Sequence, residues 1–373
     1  MSDTDAKRQN RSMSEEDWNE ILASLEREAC ILVLGPGAII GKEGENLHDK
    51  LCSLLEEYLE VNVEENPEKL FSLGNQITQK RGWRKTLSDL TRTAYSQDNP
   101  HEVYSKLSCI PLPLIISTSP DMLIHTAFDQ QGIGHQFAHY NYKKNPELET
   151  APTKEMPLIY NLFGRLDDED SLVLTHDSLF DFIFSILSSK PLPLPLKEKI
   201  VDAYNLIFLG FDFESWYMKI LLRLFKSHKK EISYAHAWRV DNLKLDTREF
   251  FASNFKLDFV DANVIDFVNE LHERCQKDGI LREPEADAGQ LTPFQQVSNL
   301  LKKSEVEEAI DFLDNYSQEI EDNDLFTEVV LLSRRYNGLI SNQNKGTIAK
   351  DDFDLELNKI VNALLGIAEN LES

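Results

Sequence analysis

The chain has 373 residues, of which 41% are hydrophobic and 28% charged, a composition typical of a globular protein with a packed core. Its formal net charge of −25 disfavours direct binding to nucleic acid or to an anionic membrane surface. The four cysteines lie far apart and form no C-x-x-C pair, so we expect no zinc knuckle, no redox dithiol and no metal.

Helices and strands alternate through the first three quarters of the chain. A helix is predicted to begin after Ser14, which has capping-box spacing to Asp17. The continuously apolar segment 30–34 predicts a strand covered on both faces. Further helices are predicted at about 46–60, 67–79, 83–96, 122–128, 177–188, 195–204, 215–228 and 263–275. Further strands are predicted at 112–116, 158–163, 172–175 and 206–209, with short ones near 232–236 and 257–260. The predicted fold class is therefore α/β, with a Rossmann-like and mostly parallel sheet.

A polar segment without periodicity, 276–289, predicts a linker, and a small all-α bundle follows it. Thr292 and Pro293 are typical of a helix start, Ser304 and Glu307 have capping-box spacing, and two more helices are predicted at 324–339 and 351–370. We expect one α/β domain at 1–276, a linker at 277–290 and a helical domain of three or four helices at 291–373. The polar N-terminus has no signal-peptide region and no segment reaches the length of a membrane span, so we expect a cytoplasmic location.

A glycine-rich turn, 35–38, follows the first predicted strand. Small residues between a buried strand and a helix let backbone N–H groups approach the phosphates of a dinucleotide. A single G-x-G is more often only a tight turn, and that alternative stays open.

Five motifs in chain order, at 35–38, 117–121, 160–164, 206–211 and 260–262, resemble those of the sirtuin-like family, in the divergent bacterial branch found in antiphage and conflict systems. The resemblance covers about residues 28–275. It implies NAD or ADP-ribose as ligand. The positions that it assigns to the ligand are Gly35, Gly37, Ala38, Ser117, Thr118, Ser119, Asp121, Phe163, Gly210 and Phe211.

Two departures from the family pattern bear on activity. The family uses an Asn to position the nicotinamide ribose and a His as general base, and the resemblance places Ser119 and Phe163 at these positions. Phenylalanine has no titratable group, so we expect the family's NAD cleavage to be weak or absent. His139 is the substitute base that we would test, and a hydrogen-bonded structural histidine is the favoured alternative. Asp121 either caps the following helix or reaches a ribose hydroxyl, and capping is favoured.

The tail from about 300 to 370 resembles the effector-associated adaptor domains, which join effectors to sensor or ATPase proteins by like-with-like docking. The resemblance implies a protein partner from a defence system, and we expect a homo-oligomer. A bundle that only packs on the main domain is the alternative. For the whole chain, three functions stay open: a catalytically degenerate NAD or ADP-ribose-binding module that recruits a partner, an active NAD hydrolase that depletes NAD on infection, and a structural scaffold or filament subunit that binds no nucleotide.

Overall fold

Parallel strands form one sheet in the computed structural model, which describes residues 12–96, 100–144, 148, 150–228, 234–237, 243–260, 262–282, 293–302, 306–319, 323–344 and 350–371. Within those residues the strands are β1 Cys30–Leu34, β2 Leu114–Ser117, β3 Gln136–His139, β4 Leu158–Asn161, β5 Asn205–Phe211, β6 Tyr234–Ala237 and β7 Asp258–Phe259. The spatial order is β3-β4-β2-β1-β5-β6-β7, and all neighbouring strands run parallel. The predicted α/β class with a parallel sheet is confirmed.

Helices cover both faces of this sheet, which explains why every residue of β1, β2, β4 and β5 is buried. Alternate residues of β1 pack into opposite layers, Leu32 and Leu34 into one and Ile31 and Val33 into the other. The helices are α1 Glu15–Glu26, α2 Leu47–Leu59, α3 Lys69–Ile77, α4 Trp83–Tyr95, α5 Glu102–Cys109, α6 Leu123–Gln130, α7 His176–Phe184, α8 Leu194–Asp202, α9 Trp216–His228, α10 Leu245–Phe255 and α11 Val264–Lys277. A π-helical turn, Ser185–Ser189, continues α7.

The capping box predicted at the first helix is confirmed. The Ser14 hydroxyl accepts a hydrogen bond from the Asp17 amide at 3.3 Å, and the Asp17 carboxylate accepts one from the Ser14 amide at 2.7 Å. Two of the unpaired amides at the helix start are thereby satisfied.

The strand predicted at 172–175 is wrong. This segment is buried but belongs to no sheet, and it leads into α7, where Thr175 is the N-cap. Contacts other than strand pairing fix its backbone. The Val173 amide donates a hydrogen bond to the Phe163 carbonyl at 3.2 Å, and Gly74 of α3 packs directly against the Leu174 carbonyl. An apolar run shows burial, and it does not show whether a neighbouring strand is present.

The chain divides into two compact units, Met1–Pro284 and Glu285–Ser373. Of the predicted linker 277–290, residues 277–282 lie in the described part of the chain. Arg282 there donates hydrogen bonds to the carbonyl groups of Ser108, Leu112 and Lys154, at 2.7, 2.6 and 2.8 Å. The start of the predicted linker is therefore fastened to the first unit.

The second unit contains the helices α12 Pro293–Lys302, α13 Val306–Glu319, α14 Asn323–Asn344 and α15 Lys350–Asn370. Their apolar faces share a core that includes Val297, Leu313, Val329 and Leu364. Thr292 and Ser304, on which two predicted helix starts depend, lie outside the described residues. The helical bundle predicted for the tail is confirmed.

Among the described helices, none is both long and apolar enough by itself to cross a membrane. One bent pair, His176–Ser189 with Leu194–Asp202 at 86°, meets the length and composition criteria only when taken together.

Candidate functional site

The loops after β1, β2, β4 and β5 meet at the carboxyl edge of the sheet. In the strand order, β1 lies between β2 and β5, so the chain leaves the centre of the sheet in opposite directions at this point. Ligands of open α/β sheets bind at such a switch point. The glycine-rich turn after β1 is a short 3-10 helix, Pro36–Ala38.

The glycines of this edge are in close mutual contact. A Cβ atom on Gly35 would lie 2.6 Å from the Gly210 carbonyl oxygen and 2.7 Å from the Phe211 ring. Gly210 has a positive φ of 75°, and a Cβ atom there would lie 2.6 Å from the Gly37 carbonyl carbon. Ala38 is buried beside them. Both Gly35 and Gly210 are therefore required by the packing of β1 against β5, whether or not a phosphate binds.

The motif 117–121 is held by a buried network of hydrogen bonds. The Thr118 amide and hydroxyl both donate to the Leu34 carbonyl, at 2.9 and 3.2 Å, and the Ser117 hydroxyl accepts from the Ser119 amide at 3.0 Å. The Ser119 hydroxyl accepts a hydrogen bond from the Asp121 amide at 3.4 Å. The side chain at the position that the resemblance assigns to the family's Asn is thus already engaged within the protein.

Asp121 lies at the start of α6, where its Oδ1 accepts a hydrogen bond from the Leu123 amide at 2.9 Å. Burial raises the pKa of this carboxyl above its ordinary value, and the hydrogen bonds from Ser119 and Leu123 only partly oppose the rise. The N-cap residue of α6 is Met122, which has no side-chain cap, so Asp121 satisfies the first free amide of the helix from one position before the N-cap.

Phe163, to which the resemblance assigns the family's His position, is 4% exposed and belongs to an aromatic cluster. Its ring centroid lies 5.2 Å from that of Phe182, 6.4 Å from that of Phe71 and 6.3 Å from that of Tyr217. Aromatic pairs at these separations stabilise the core. Phe163 therefore contributes packing at this edge of the sheet.

A cavity of about 30 Å³ opens at this edge. Pro36, Thr118, Ser119 and Phe163 line it, so the structure brings together residues from three of the predicted motifs. The other predicted ligand positions are not among its lining residues: Gly35, Gly37, Ala38, Ser117, Asp121, Gly210 and Phe211. Since one water needs roughly 10–15 Å³ of such space, the cavity has room for about two waters and for no nucleotide without movement of its walls.

The charges around the cavity are mostly negative. Asp49, Glu65 and Asp212 line it together with a single lysine, Lys69. The Lys69 ammonium lies 3.1 Å from Glu56 and 3.6 Å from Glu65. Its charge is therefore balanced within the protein, and an anionic phosphate would meet a wall that carries an excess of carboxylates.

The sequence interpretation missed α2 as part of this site. The side chain of Asn46, its N-cap, donates to the Pro36 carbonyl at 3.0 Å and accepts from the Asp49 amide at 3.0 Å. His48 and Asp49 of its first turn line the cavity. The signal was present as Asn46 followed by an acidic residue three positions later, the pattern of a helix start directly after the glycine-rich turn.

Cys52 also lies in the cavity wall, where burial raises the pKa of its thiol to about 12 and so disfavours the reactive thiolate.

His139, the substitute base considered from the sequence, lies at the end of the edge strand β3. Its Nε2 is 3.0 Å from Asp168 Oδ2, and Asn141 donates to the same carboxylate oxygen at 2.9 Å. Burial opposes ionisation of Asp168, but the hydrogen bonds from His139 and Asn141 outweigh it and lower the pKa of this carboxyl. His139 is not among the residues that line the cavity near Ser119 and Phe163.

A second, larger cavity of about 380 Å³ lies between α4 and the start of α7, with Leu174 in the wall that it shares with the first. Trp83, Arg84, Tyr142 and Lys143 line it, together with acidic residues of α7 and the loop before it. Its volume is in the range of small-molecule pockets. No motif of the sequence pointed to it.

Comparison with known families agrees with the architecture. Residues 113–257 match the SIR2-like domain, a stretch that includes the motifs at 117–121, 160–164 and 206–211 but not the glycine-rich turn at 35–38. Residues 292–372 match the Effector-associated domain 11. No curated protein matches the chain significantly. This pair of domains fits a module of a defence system. The chain therefore has one stretch similar to a SIR2-like domain and a C-terminal stretch similar to an effector-associated domain, as the resemblance predicted.

Proposed function

We propose that the protein is a catalytically degenerate sirtuin-like module of a bacterial antiphage defence assembly, which binds NAD or ADP-ribose without cleaving it and recruits a partner through its helical domain. The proposal takes the protein to act in the cytoplasm and to self-associate. The observation that carries it is Phe163, a buried ring inside an aromatic cluster at the position that the sequence resemblance assigns to the family's general base. General-base assistance is worth about 10²–10⁴-fold in rate.

The ligand part of the proposal is supported by the SIR2-like match and by the position of the cavity at the switch point of the sheet. Calorimetry of the full chain with NAD and with ADP-ribose tests it, alongside an assay for released nicotinamide. The expected result is saturable heat without nicotinamide. Nicotinamide release by the purified protein would contradict the proposal, and release only after addition of the partner and trigger would support the active hydrolase instead.

A second candidate, a scaffold that binds no nucleotide, is favoured by the size and charge of the cavity. A ligand present at about 100 times its Kd adds roughly 2.7 kcal/mol to the free energy of unfolding. A melting temperature unchanged by saturating NAD and ADP-ribose, together with the absence of binding heat, would support the scaffold.

Recruitment through the helical domain is the other part of the proposal. Leu331 of α14 and Leu355 of α15 are each 55% exposed, so apolar surface is available on this unit. We expect L331D and L355D in the full chain to weaken capture of a partner that carries a similar effector-associated domain. L245D is the matched control, since Leu245 of α10 is 57% exposed on the first unit. Equal capture by all three variants would refute the docking role of these helices.

A further inference from the structure

Three metal-ligating side chains converge beside the edge of the sheet, away from the cavity described above. His125 and Asp129 are one helical turn apart on α6, and His135 directly precedes β3. One donor atom from each lies within 4.8 Å of the other two. Their spacing in the sequence, H-x₃-D-x₅-H, places the first two on one helix face and returns the third after a short turn.

The His135 ring is oriented for ligation. Its Nδ1 lies 3.0 Å from the Ile133 carbonyl oxygen, to which it donates, so the lone pair is on Nε2. That Nε2 faces the cluster, at 2.6 Å from His125 Nδ1 and 4.0 Å from Asp129 Oδ1. A backbone carbonyl that fixes the tautomer in this way is the usual support of a metal-bound histidine.

His125 has more acceptors than protons around it. Its Nε2 lies 3.5 Å from Asp129 Oδ2, while its Nδ1 donates to His135. A neutral imidazole carries one N–H and satisfies one of these two acceptors. The side chain also stacks on Phe137, with ring centroids 4.5 Å apart and planes within 5°, which holds the ring in place.

No basic side chain completes the cluster among the described residues around it. The positive charge of Arg165 acts on His125. Arg165 forms an ion pair with Asp167, however, and its guanidinium carbon lies 5.7 Å from the centre of the Phe137 ring, which stacks on His125. Two imidazole lone pairs and one carboxylate thus lie close together, and no basic side chain among the described residues around them neutralises the carboxylate.

We propose that His125, Asp129 and His135 bind a divalent transition-metal ion of the Zn²⁺ class. Bond lengths of about 2.0–2.2 Å put neighbouring donors of a tetrahedral site roughly 3.4 Å apart, and small side-chain rotations reach this from the separations above. Two imidazoles and one carboxylate favour Zn²⁺, Co²⁺ or Ni²⁺ over Mg²⁺ and Ca²⁺. Three protein ligands leave a position for water, and Asp129, with 51% of its side chain exposed, gives the ion access.

The ion fastens the end of α6 to the start of β3. β3 is the edge strand of the sheet and pairs only with β4 among the described strands, so it has a neighbour on one side. A metal bound to the folded state alone stabilises that state by mass action. The ion would therefore stabilise the edge of the SIR2-like domain, and this effect requires no bound nucleotide.

The test uses the full chain, stripped with a chelator and titrated calorimetrically with Zn²⁺, then with Mg²⁺. Co²⁺ serves as the optical probe, because tetrahedral coordination gives visible absorption. The expected result is one Zn²⁺ per chain, a raised melting temperature and no response to Mg²⁺. H135A and D129N should each weaken Zn²⁺ binding at least about tenfold. H272N, which changes a histidine of α11 outside the cluster, should leave the affinity unchanged.

Asp129 keeps the test decisive if H135A fails to fold, because its exposed side chain can be replaced without loss of core packing. D129H, which offers a third imidazole, should restore binding that D129N loses. The proposal is overturned if the unmodified chain binds no Zn²⁺ at micromolar concentration, or if D129N and H135A bind it as tightly as H272N does.

Discussion

Gly35 and Gly210 stand against each other at the ends of β1 and β5, so close that a Cβ atom on Gly35 would lie 2.6 Å from the Gly210 carbonyl oxygen. A pair of glycines that would be assigned to phosphate binding is thus explained by strand packing. A substitution at either glycine therefore reports on packing as well as on ligand binding, and a loss of ligand affinity at these positions needs a stability control.

We expect G210A to lower the free energy of unfolding by about 3 kcal/mol or more, because it combines a left-handed φ with contact against the turn at Gly37. G44A is the matched control: Gly44 has a φ of 85° and open space around it, so only the backbone cost of about 1–2 kcal/mol applies. Urea unfolding of both variants measures the difference. Equal losses would show that the close approach does not matter.

F163A should cost about 3–5 kcal/mol of stability, as expected for a large aromatic side chain removed from a packed core. F180A is the control, since Phe180 is 56% exposed and only stacks on Trp216 at 5.3 Å, a contact worth at most about 1.5 kcal/mol. The measurement is chemical denaturation of each variant. A small effect of F163A would contradict the assignment of this position to packing.

D121N should gain stability relative to the unmodified chain as pH rises. A carboxyl with a raised pKa in the folded state contributes stability below its unfolded pKa and loses it as pH rises through the folded pKa. Asn keeps the oxygen that accepts from Leu123 and carries no charge. Unfolding free energies compared at about pH 4 and pH 7 should therefore diverge in favour of D121N.

D170N is the control for that experiment, because its stability relative to the unmodified chain should change with pH in the opposite direction. A hydrogen bond from Lys143 holds the pKa of the exposed Asp170 below its ordinary value. Its contribution is present above the unfolded pKa and is lost as pH falls, so D170N should be the less stable chain at neutral pH. If the stabilities of D121N and D170N, relative to the unmodified chain, changed with pH in the same direction, the ionised carboxylate of Asp121 would not destabilise the folded state.

R282A should destabilise the first unit by about 2–4 kcal/mol, since three backbone carbonyl groups lose a charged donor. Burial lowers the pKa of Arg282 to about 10, which leaves it charged at neutral pH. R282K should recover only part of the loss because an ammonium lacks the planar fork. R84A, at an exposed arginine that lies over Trp83, should change stability by less than about 1 kcal/mol. A loss in R84A as large as in R282A would remove the special role of Arg282.

The sheet was predictable because its central strands are short apolar runs, such as 30–34 and 206–209, separated by amphipathic helices. The segment 172–175 has the same composition and is no strand, since pairing depends on what lies beside it. The assignment of Ser119 and Phe163 to the family's Asn and His positions depends on motif order alone. His48, Asp49 and the 125–129–135 cluster required the fold, because each joins residues whose proximity depends on turns and helix directions.

Asp49, in the first turn of α2, affects which ligands the cavity binds most tightly. A helix start attracts anions, yet here Asp49 already supplies the negative charge from within the chain. ADP-ribose, with two phosphates, must displace or neutralise that carboxylate, whereas the cationic nicotinamide riboside need not. Tighter binding of ADP-ribose would therefore indicate a site for a diphosphate. Tighter binding of nicotinamide riboside would indicate that Asp49 occupies the place of the anion.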